Sequence, residues 1–268
     1  MSTNGENIPC EYQAIYLSPH LDDAALSCGG QIYQRTQNGE KILIATVMAG
    51  NSSPNLLSSY AQSLHDRWKI NSETVKKRRE EDRQAAEVLG ADVVHLSIPD
   101  CIYRFHKHNN KPLYTSDEQI FGDIHPDEAR LVDNIAEMID HLPCHSQLFI
   151  PLGVGNHVDH CLTRAAAEKV INCCHDPSPK EVWYYEEYPY AQTKNATEDV
   201  LYQTKAIWQL NVIGITEMAL SQRIRAIAQF QSQISTFFRS YDDMAAQVYR
   251  FVHEVGGERL WCKRKFDI

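Results

Sequence analysis

Two short polar stretches of the sequence combine imidazole and carboxylate groups, which can bind a metal ion and move protons. They lie at residues 18–23 and 157–160. Two histidines and one carboxylate form the protein part of many catalytic zinc sites, which leave the remaining coordination for water and substrate. The side chains from which we predict such a metal centre are His20, Asp22, Asp23, His157, Asp159 and His160.

Each stretch taken alone also has a simpler interpretation. Asp22 or Asp23 is suited to the N-cap of a following helix, which would leave His20 as a surface residue. The second stretch is compatible with the plain first turn of another helix, although His157 and His160 are three residues apart and share a helix face. The metal-site interpretation gains its weight from the two stretches together, because both follow predicted strands.

The segments around the two stretches predict that both lie at the same edge of a β-sheet. An apolar run at 14–17 predicts a buried strand that leads into a helix over 22–37, and a second strand follows at 41–49. A strand, a helix and a strand within about 35 residues favour parallel, right-handed winding. A further strand at 147–152 ends just before His157. Open parallel sheets bind ligands at the carboxyl ends of their strands.

The rest of the chain alternates between strand-like and helix-like patterns, so the predicted fold class is α/β: a Rossmann-like three-layer fold with a mostly parallel central sheet. Residues 50–71 and 101–126 have the composition of long loops, and whether they close over a substrate stays open. No internal repeat or linker divides the sequence, which predicts one domain over 1–268. Further strands are predicted at 93–98, 181–188 and 258–263, and further helices at 73–89, 127–142, 161–174 and 215–238.

Composition and charge narrow the classes of function. The net charge of -9 argues against nucleic acid or an anionic membrane surface as the main partner. The first residues lack the pattern of a signal peptide, and the longest apolar runs are too short to span a bilayer. Eight cysteines without CxxC spacing indicate reduced thiols. We therefore expect a cytoplasmic protein with a small-molecule substrate, and its oligomeric state stays open.

The two polar stretches resemble the signature of the PIG-L/LmbE family of zinc-dependent de-N-acetylases. That signature combines a Pro/Ala-His-Pro-Asp-Asp stretch with a His-x-Asp-His stretch, and both occur here in the same order. The charged helix segment at 78–82 and the Pro-Asp pair at 99–100 also match, so the resemblance covers most of residues 12–188. Leu21 and Ala24 depart from the family, in which proline and glutamate are frequent at these positions.

The resemblance implies a role for each residue of the site. Asp22 would take a proton from the attacking water, and a protonated His157, held in its tautomer by Asp159, would stabilise the oxyanion. Either Asp22 or His157 would protonate the departing amine. Arg78 and Asp100 would contact the sugar, although a surface ion pair and an ordinary residue at the end of a strand explain these two equally well. The implied metal ligands are His20, Asp23 and His160.

The function implied by the resemblance is hydrolysis of an N-acetyl or similar acyl group on an amino sugar, such as N-acetylglucosamine, or on its conjugate. The cofactor would be Zn²⁺ or another divalent metal such as Fe²⁺. Three alternatives remain: an amidase for a non-sugar or thiol-conjugate substrate, a non-catalytic sugar- or nucleotide-binding module, and a zinc ion that only stabilises the fold. The absence of a glycine-rich phosphate loop argues against a nucleotide, and the absence of a closed set of four ligands argues against structural zinc.

Overall fold

A computed structural model describes residues 11–53, 55–69, 73–173, 181–204 and 206–264. Within this part of the chain, a seven-stranded sheet has the strand order β3-β2-β1-β4-β5-β7-β6. The strands are β1 (Tyr12–Ser18), β2 (Ile42–Thr46), β3 (Asp92–His95), β4 (His145–Pro151), β5 (Glu181–Tyr185), β6 (Trp208–Ile213) and β7 (Glu258–Lys263). The predicted α/β class with a mostly parallel sheet is confirmed, since β1 to β5 pair in parallel and only β7, which pairs antiparallel with both β5 and β6, runs against the other strands.

Helices connect the parallel strands and continue after them. They are α1 (Asp23–Gln37), α2 (Ser59–Trp68), α3 (Thr74–Leu89), α4 (Asp117–Ile120), α5 (Leu131–Asp140), α6 (Val158–Cys173), α7 (Ala196–Gln203), α8 (Glu217–Ile227), α9 (Ile234–Phe237) and α10 (Tyr241–Val255). Short 3-10 helices add Cys101–Tyr103, Pro126–Glu128 and Tyr190–Gln192. No helix among the described residues is both long and apolar enough to cross a membrane.

The side chains of β1 alternate between two faces of the sheet, and each face carries its own apolar core. Ile15 and Leu17 point to the face covered by α5 and α6, whereas Ala14 and Tyr16 point to the face covered by α1, α3 and α8. All four of these side chains are fully buried. Burial on both faces explains why β1 is a continuous apolar run in the sequence, as is typical of parallel strands between two helical layers.

The strand order reverses direction between β1 and β4. The chain moves outward from β1 through β2 to β3 and then returns to the other side of β1 with β4, where Ile15 pairs with Leu148. The connections that leave the carboxyl ends of β1 and β4 therefore diverge and leave a crevice between them. Such a switch point is the usual ligand site of open α/β sheets, and both polar stretches of the sequence lie at it.

The prediction of a long loop over 50–71 is wrong for Ser59–Trp68, because α2 forms there. The Ser58 side chain accepts a hydrogen bond from the Ala61 N–H at 3.0 Å and caps the helix. Ala61, Leu64 and Trp68 repeat at helical spacing and are buried. This apolar stripe is the signal that the composition of the segment concealed.

The prediction of one uninterrupted helix over 215–238 is also wrong. Helix α8 ends at Ile227 and the short helix α9 begins at Ile234. The Ser232 N–H donates a hydrogen bond to Glu81 Oε1 at 3.0 Å, and its hydroxyl donates to Glu81 Oε2. These bonds to α3 compete with the helix, and local helical propensity does not reveal them. Helices α7 and α10 and strand β6 were not predicted, and position 174 of the predicted helix 161–174 lies outside the described residues.

Candidate active site

Both polar stretches lie in the turns between a strand and its following helix. The first connects β1 to α1, and the second follows β4 and enters α6. All six predicted side chains are buried or nearly so, with exposures between 0 and 9%. The simpler interpretation of His20 as a surface residue is therefore excluded, and the side chains of the two stretches meet at the switch point of the sheet.

The side chains of His20, Asp23 and His160 converge on one point. Oδ2 of Asp23 lies 3.3 Å from Nδ1 of His20 and 3.2 Å from Nε2 of His160. Ligand atoms bound tetrahedrally to zinc at ~2.1 Å are about 3.4 Å apart, so these separations suit a shared metal ion. Among the described residues, no group forms a hydrogen bond with the buried Nε2 of His160. A buried ring nitrogen without such a partner is available to bind a metal ion. The three residues fit the predicted ligand set.

The far nitrogen of each of these histidines faces a carboxylate. His20 Nε2 lies 3.0 Å from Oδ2 of Asp159, and His160 Nδ1 lies 3.3 Å from Oε1 of Glu187. Histidines that bind a metal usually donate their other N–H to such a group, which fixes the ring and raises its basicity. Burial alone would lower the pKa of His160, but Asp23 and Glu187 outweigh it and raise the pKa to about 9 in the absence of a metal.

Glu187 was missed by the sequence analysis. Its carboxylate is fully buried and accepts hydrogen bonds from the N–H groups of Gly153 and Val154 at 2.6 and 3.0 Å. These bonds connect β5 to the turn that leads to His160. The available signal was its position just after the carboxyl end of β5, on the same sheet edge as the two polar stretches.

Replacing Glu187 by glutamine should weaken metal binding without unfolding the protein. The amide cannot supply the negative charge behind His160, and we expect a loss of about 10- to 100-fold in metal affinity, measured by competition with a chelator. Glu186→Gln is the matched control, because the neighbouring carboxylate contacts Trp261 and Arg259 instead. Equal affinities of the two variants would refute this role for Glu187.

Asp159 has different partners from those predicted. Its carboxylate contacts His20, the Arg104 guanidinium at 2.6 Å and the N–H of Cys101 at 2.9 Å. Burial opposes its ionisation, but the charge of Arg104 outweighs it and lowers the pKa of Asp159. The contact of Asp159 with His157 is made by the main chain, because the Asp159 N–H donates a hydrogen bond to Nδ1 of His157 at 3.2 Å. The carboxylate thus orients His20, and Arg104 is a buried partner that the sequence analysis missed.

His157 lies beside the convergent ligands. One ring nitrogen from each of His20, His157 and His160 is within 4.8 Å of the other two. Burial lowers the pKa of His157 well below its ordinary value, and the charges of the other two histidines act in the same direction. A lowered pKa favours the neutral ring, and because Nδ1 accepts a hydrogen bond, the proton of that neutral ring lies on Nε2. The resemblance implied a protonated imidazole at this position.

Asp22 occupies the N-cap position of α1, but its side chain makes no capping hydrogen bond. Its Oδ1 lies 3.9 Å from Nη2 of Arg78. Burial and the adjacent charge of Asp23 raise the pKa of Asp22 to about 6. A carboxylate with this pKa, next to the convergent ligands and free of the helix, is suited to accept a proton near neutral pH.

Arg78 and Asp100 are brought into the same site. Nη1 of Arg78 lies 3.4 Å from Oδ2 of Asp100, and that oxygen is 3.9 Å from Nε2 of His20. The Arg78 guanidinium packs against the Trp68 ring at 5.0 Å, and its buried Nε forms no hydrogen bond with any described residue. An exposure of 6% excludes the interpretation of Arg78 as part of a surface ion pair. Asp100, with 8% exposure, is the buried partner of Arg78 and so is not an ordinary residue at the end of a strand.

A cavity of about 320 Å³ opens above these residues. Its floor contains His20, Asp22 and Asp23, and its walls come from both segments that the sequence predicted as loops. Tyr190 forms a further wall against Phe121 and His160. This approach requires a glycine at 155, since a Cβ there would lie 2.8 Å from the Tyr190 ring. The other wall residues include Tyr60, Leu64, Trp68, Ile120 and Phe237.

A buried set of candidate metal ligands, an adjacent carboxylate that makes no capping hydrogen bond and a cavity above them are the features of a metal-dependent hydrolase. The family profile described as "PIG-L: GlcNAc-PI de-N-acetylase" matches residues 15–171, which is more than half of the sequence. The chain belongs to the PIG-L family of GlcNAc-PI de-N-acetylases, and the resemblance noted in the sequence is confirmed.

Individual relatives are deacetylases. The chain is 27% identical over 197 residues to a 2'-N-acetylparomamine deacetylase of Niallia circulans, covering 68% of each protein. The structure of a deacetylase–bog complex from the biosynthesis pathway of teicoplanin matches with a TM-score of 0.77 at 26% identity, covering 95% of this chain and 99% of the other. A zinc-inhibited form of a teicoplanin deacetylase shares the fold, with a TM-score of 0.71 at 24% identity over 95 and 99% of the two chains. The protein is accordingly an amide-hydrolysing enzyme.

Proposed function

We propose that this enzyme removes the acetyl group from the nitrogen of an amino sugar that belongs to a larger conjugate, with N-acetylglucosamine as the simplest acceptable sugar. The observation that carries this proposal is the position of Asp22, a buried carboxylate beside the convergent His20, Asp23 and His160 at the base of a cavity. The names of the relatives support the substrate class, since both paromamine and teicoplanin enzymes are deacetylases.

His20, Asp23 and His160 would hold one divalent metal ion. When bound, such an ion lowers the pKa of water and polarises the acyl oxygen of the substrate. Two histidines and a carboxylate suit Zn²⁺ and also Fe²⁺. Asp159 and Glu187 keep the two imidazoles in the orientation and tautomer that this binding requires.

Asp22 acts as the general base. It accepts a proton as water adds to the acyl carbon, and its raised pKa makes it able both to accept this proton near neutral pH and to release it again. Arg78 lies 3.9 Å away and limits the rise of that pKa, because its positive charge favours the ionised carboxylate. The C–N bond then breaks, and acetate and the free amine leave.

His157 stabilises the oxyanion with the hydrogen bond of its Nε2–H. A neutral donor fixed by the Asp159 N–H needs no reorganisation when negative charge develops on the acyl oxygen. The departing nitrogen takes its proton from Asp22, which accepted one from the attacking water, because a neutral imidazole does not give up its Nε2 proton near neutral pH. A His157→Gln variant, which retains a donor but cannot transfer a proton, should therefore keep much of the activity that a His157→Ala variant loses.

Arg78 and Asp100 recognise the sugar. Both side chains line the cavity and lie 3.4 Å apart. The guanidinium can donate hydrogen bonds to the hydroxyl groups of one sugar ring, and the carboxylate can accept hydrogen bonds from them. The rest of the conjugate would lie along the aromatic wall of Phe121, Tyr190 and Phe237. Free thiols at Cys28, Cys101 and Cys161 support the proposal that the protein works in the reducing cytoplasm.

The proposal is tested by measuring acetate release across a panel of N-acetylated compounds. The panel contains N-acetylglucosamine, acetylated aminoglycosides, glycopeptide sugars and two non-sugar classes, simple amides and thiol conjugates. We expect acetate from amino sugars with the wild-type enzyme and almost none with Asp22→Asn. Hydrolysis confined to the non-sugar amides would refute the sugar assignment, and no hydrolysis of any compound by metal-loaded protein would refute the proposal.

A further inference from the structure

A small apolar niche adjoins the main cavity at Asp22. The two spaces share three lining residues, Asp22, Gln233 and Phe237, so the niche lies directly beside the cavity. Its volume is about 10 Å³, compared with about 320 Å³ for the main cavity. A space of ~10–15 Å³ accommodates one water molecule, and a methyl group has a similar size.

The remaining walls of the niche are apolar and firmly packed. Leu26 comes from α1, Ile227 and Phe230 from the end of α8 and the turn after it, and Ile234 and Phe238 from α9 and its end. Four of these side chains are 5% exposed or less, and Leu26, Ile227 and Phe238 belong to one apolar cluster. Enlarging the niche therefore requires moving helices against one another, which close-packed interiors resist.

The position of the niche next to the general base determines what it can hold. The acyl carbon must lie within ~3.5 Å of the water that Asp22 deprotonates, and the acyl substituent is one bond further away. In the main cavity, by contrast, Asp22 shares the lining with the charged side chains of Asp23, Arg78 and Asp100. An apolar substituent placed among these charged groups would displace their water and form no hydrogen bonds in its place, which is unfavourable.

We propose that this niche holds the methyl group of the acyl substituent and restricts the enzyme to acetyl groups. This inference rests on the proposed function, because it assigns one part of that substrate. A propionyl group would bring an additional methylene into a space that is already full. One methylene changes kcat/KM by about tenfold or more in a tight apolar pocket, so the enzyme should reject longer acyl groups.

The test compares the N-acetyl, N-propionyl and N-butyryl forms of whichever amino sugar releases acetate fastest in the panel. The wild-type enzyme should prefer acetyl over propionyl by about tenfold or more. Ile234→Ala and Leu26→Ala remove carbon atoms from opposite walls of the niche and should bring the propionyl rate to within about threefold of the acetyl rate. Leu220→Ala is the matched control, since Leu220 is equally buried in the same apolar cluster but does not line the niche.

Two results would overturn the assignment of the niche. One is a wild-type enzyme that releases propionate and butyrate as fast as acetate. The other is an unchanged acyl preference in Ile234→Ala. Ile234 lies in α9, so this substitution does not alter the turn between β1 and α1 that carries His20 and Asp23. Failure of the proposed function looks different, because then no carboxylate is released from any of the three compounds.

Discussion

Asp22→Asn is expected to retain its metal and to lose about 10²- to 10⁴-fold in the rate of acetate release, the range that general-base catalysis supplies. Asparagine preserves the shape of the side chain but cannot accept the proton from water. Because Asp22 makes no contact with the nitrogens of His20 or His160 comparable to those of Asp23, the affinity for the metal should stay close to that of the wild type. Metal analysis and acetate detection on the same sample measure both quantities.

The matched variant is Asp23→Asn, one residue further along. Asp23 supplies the oxygen that lies 3.2 and 3.3 Å from the two imidazoles, so its replacement should reduce metal content and activity together. The account would be contradicted if the two variants behaved alike. Loss of metal in Asp22→Asn would contradict the role of Asp22 as the general base, and so would full activity in that variant.

His160→Ala is expected to abolish metal retention and, with it, hydrolysis. The His160 imidazole is fully buried, and its Nε2 has no hydrogen-bond partner in the part of the chain that the structure describes. Loss of a group that hydrogen-bonds to a metal ligand lowers metal affinity by about 10- to 100-fold, and loss of the ligand itself should lower it further. Metal bound after dialysis against a weak chelator gives the measurement.

The control for this variant is His141→Ala, which removes an exposed imidazole that does not line the cavity and whose Nδ1 bonds to the carbonyl oxygen of Glu137 in α5. It should retain metal and activity at the wild-type level. A His160→Ala protein that still holds one metal ion and releases acetate would exclude His160 from the ligand set.

The parts of the fold that the sequence predicts well are those whose pattern reflects burial on two faces. The apolar runs of β1, β2 and β4 have both faces covered, so each is recognised without knowledge of its neighbours. The polar residues that follow β1 and β4 then fall at one edge by topology alone. This reasoning is sufficient to bring His20 and His160 together across 140 positions of sequence.

The parts that were missed depend on contacts between distant segments. Helix α8 ends where Ser232 bonds to Glu81, and Glu187 gains its role from a turn more than 30 positions away. Asp159 is one position from His160, yet its carboxylate contacts Arg104 and His20 because these side chains enter from other loops. A spacing within one stretch identifies candidate ligands, but their partners are fixed by the tertiary structure.

The central claim is that one metal ion, held by His20, Asp23 and His160, makes this protein a deacetylase. The most direct measurement is acetate release by metal-depleted wild-type enzyme during separate titrations with Zn²⁺ and Fe²⁺. We expect release no faster than that of Asp22→Asn before metal is added, and a rise that reaches its maximum at one equivalent per chain. Undiminished acetate release by protein with negligible metal content would contradict the account.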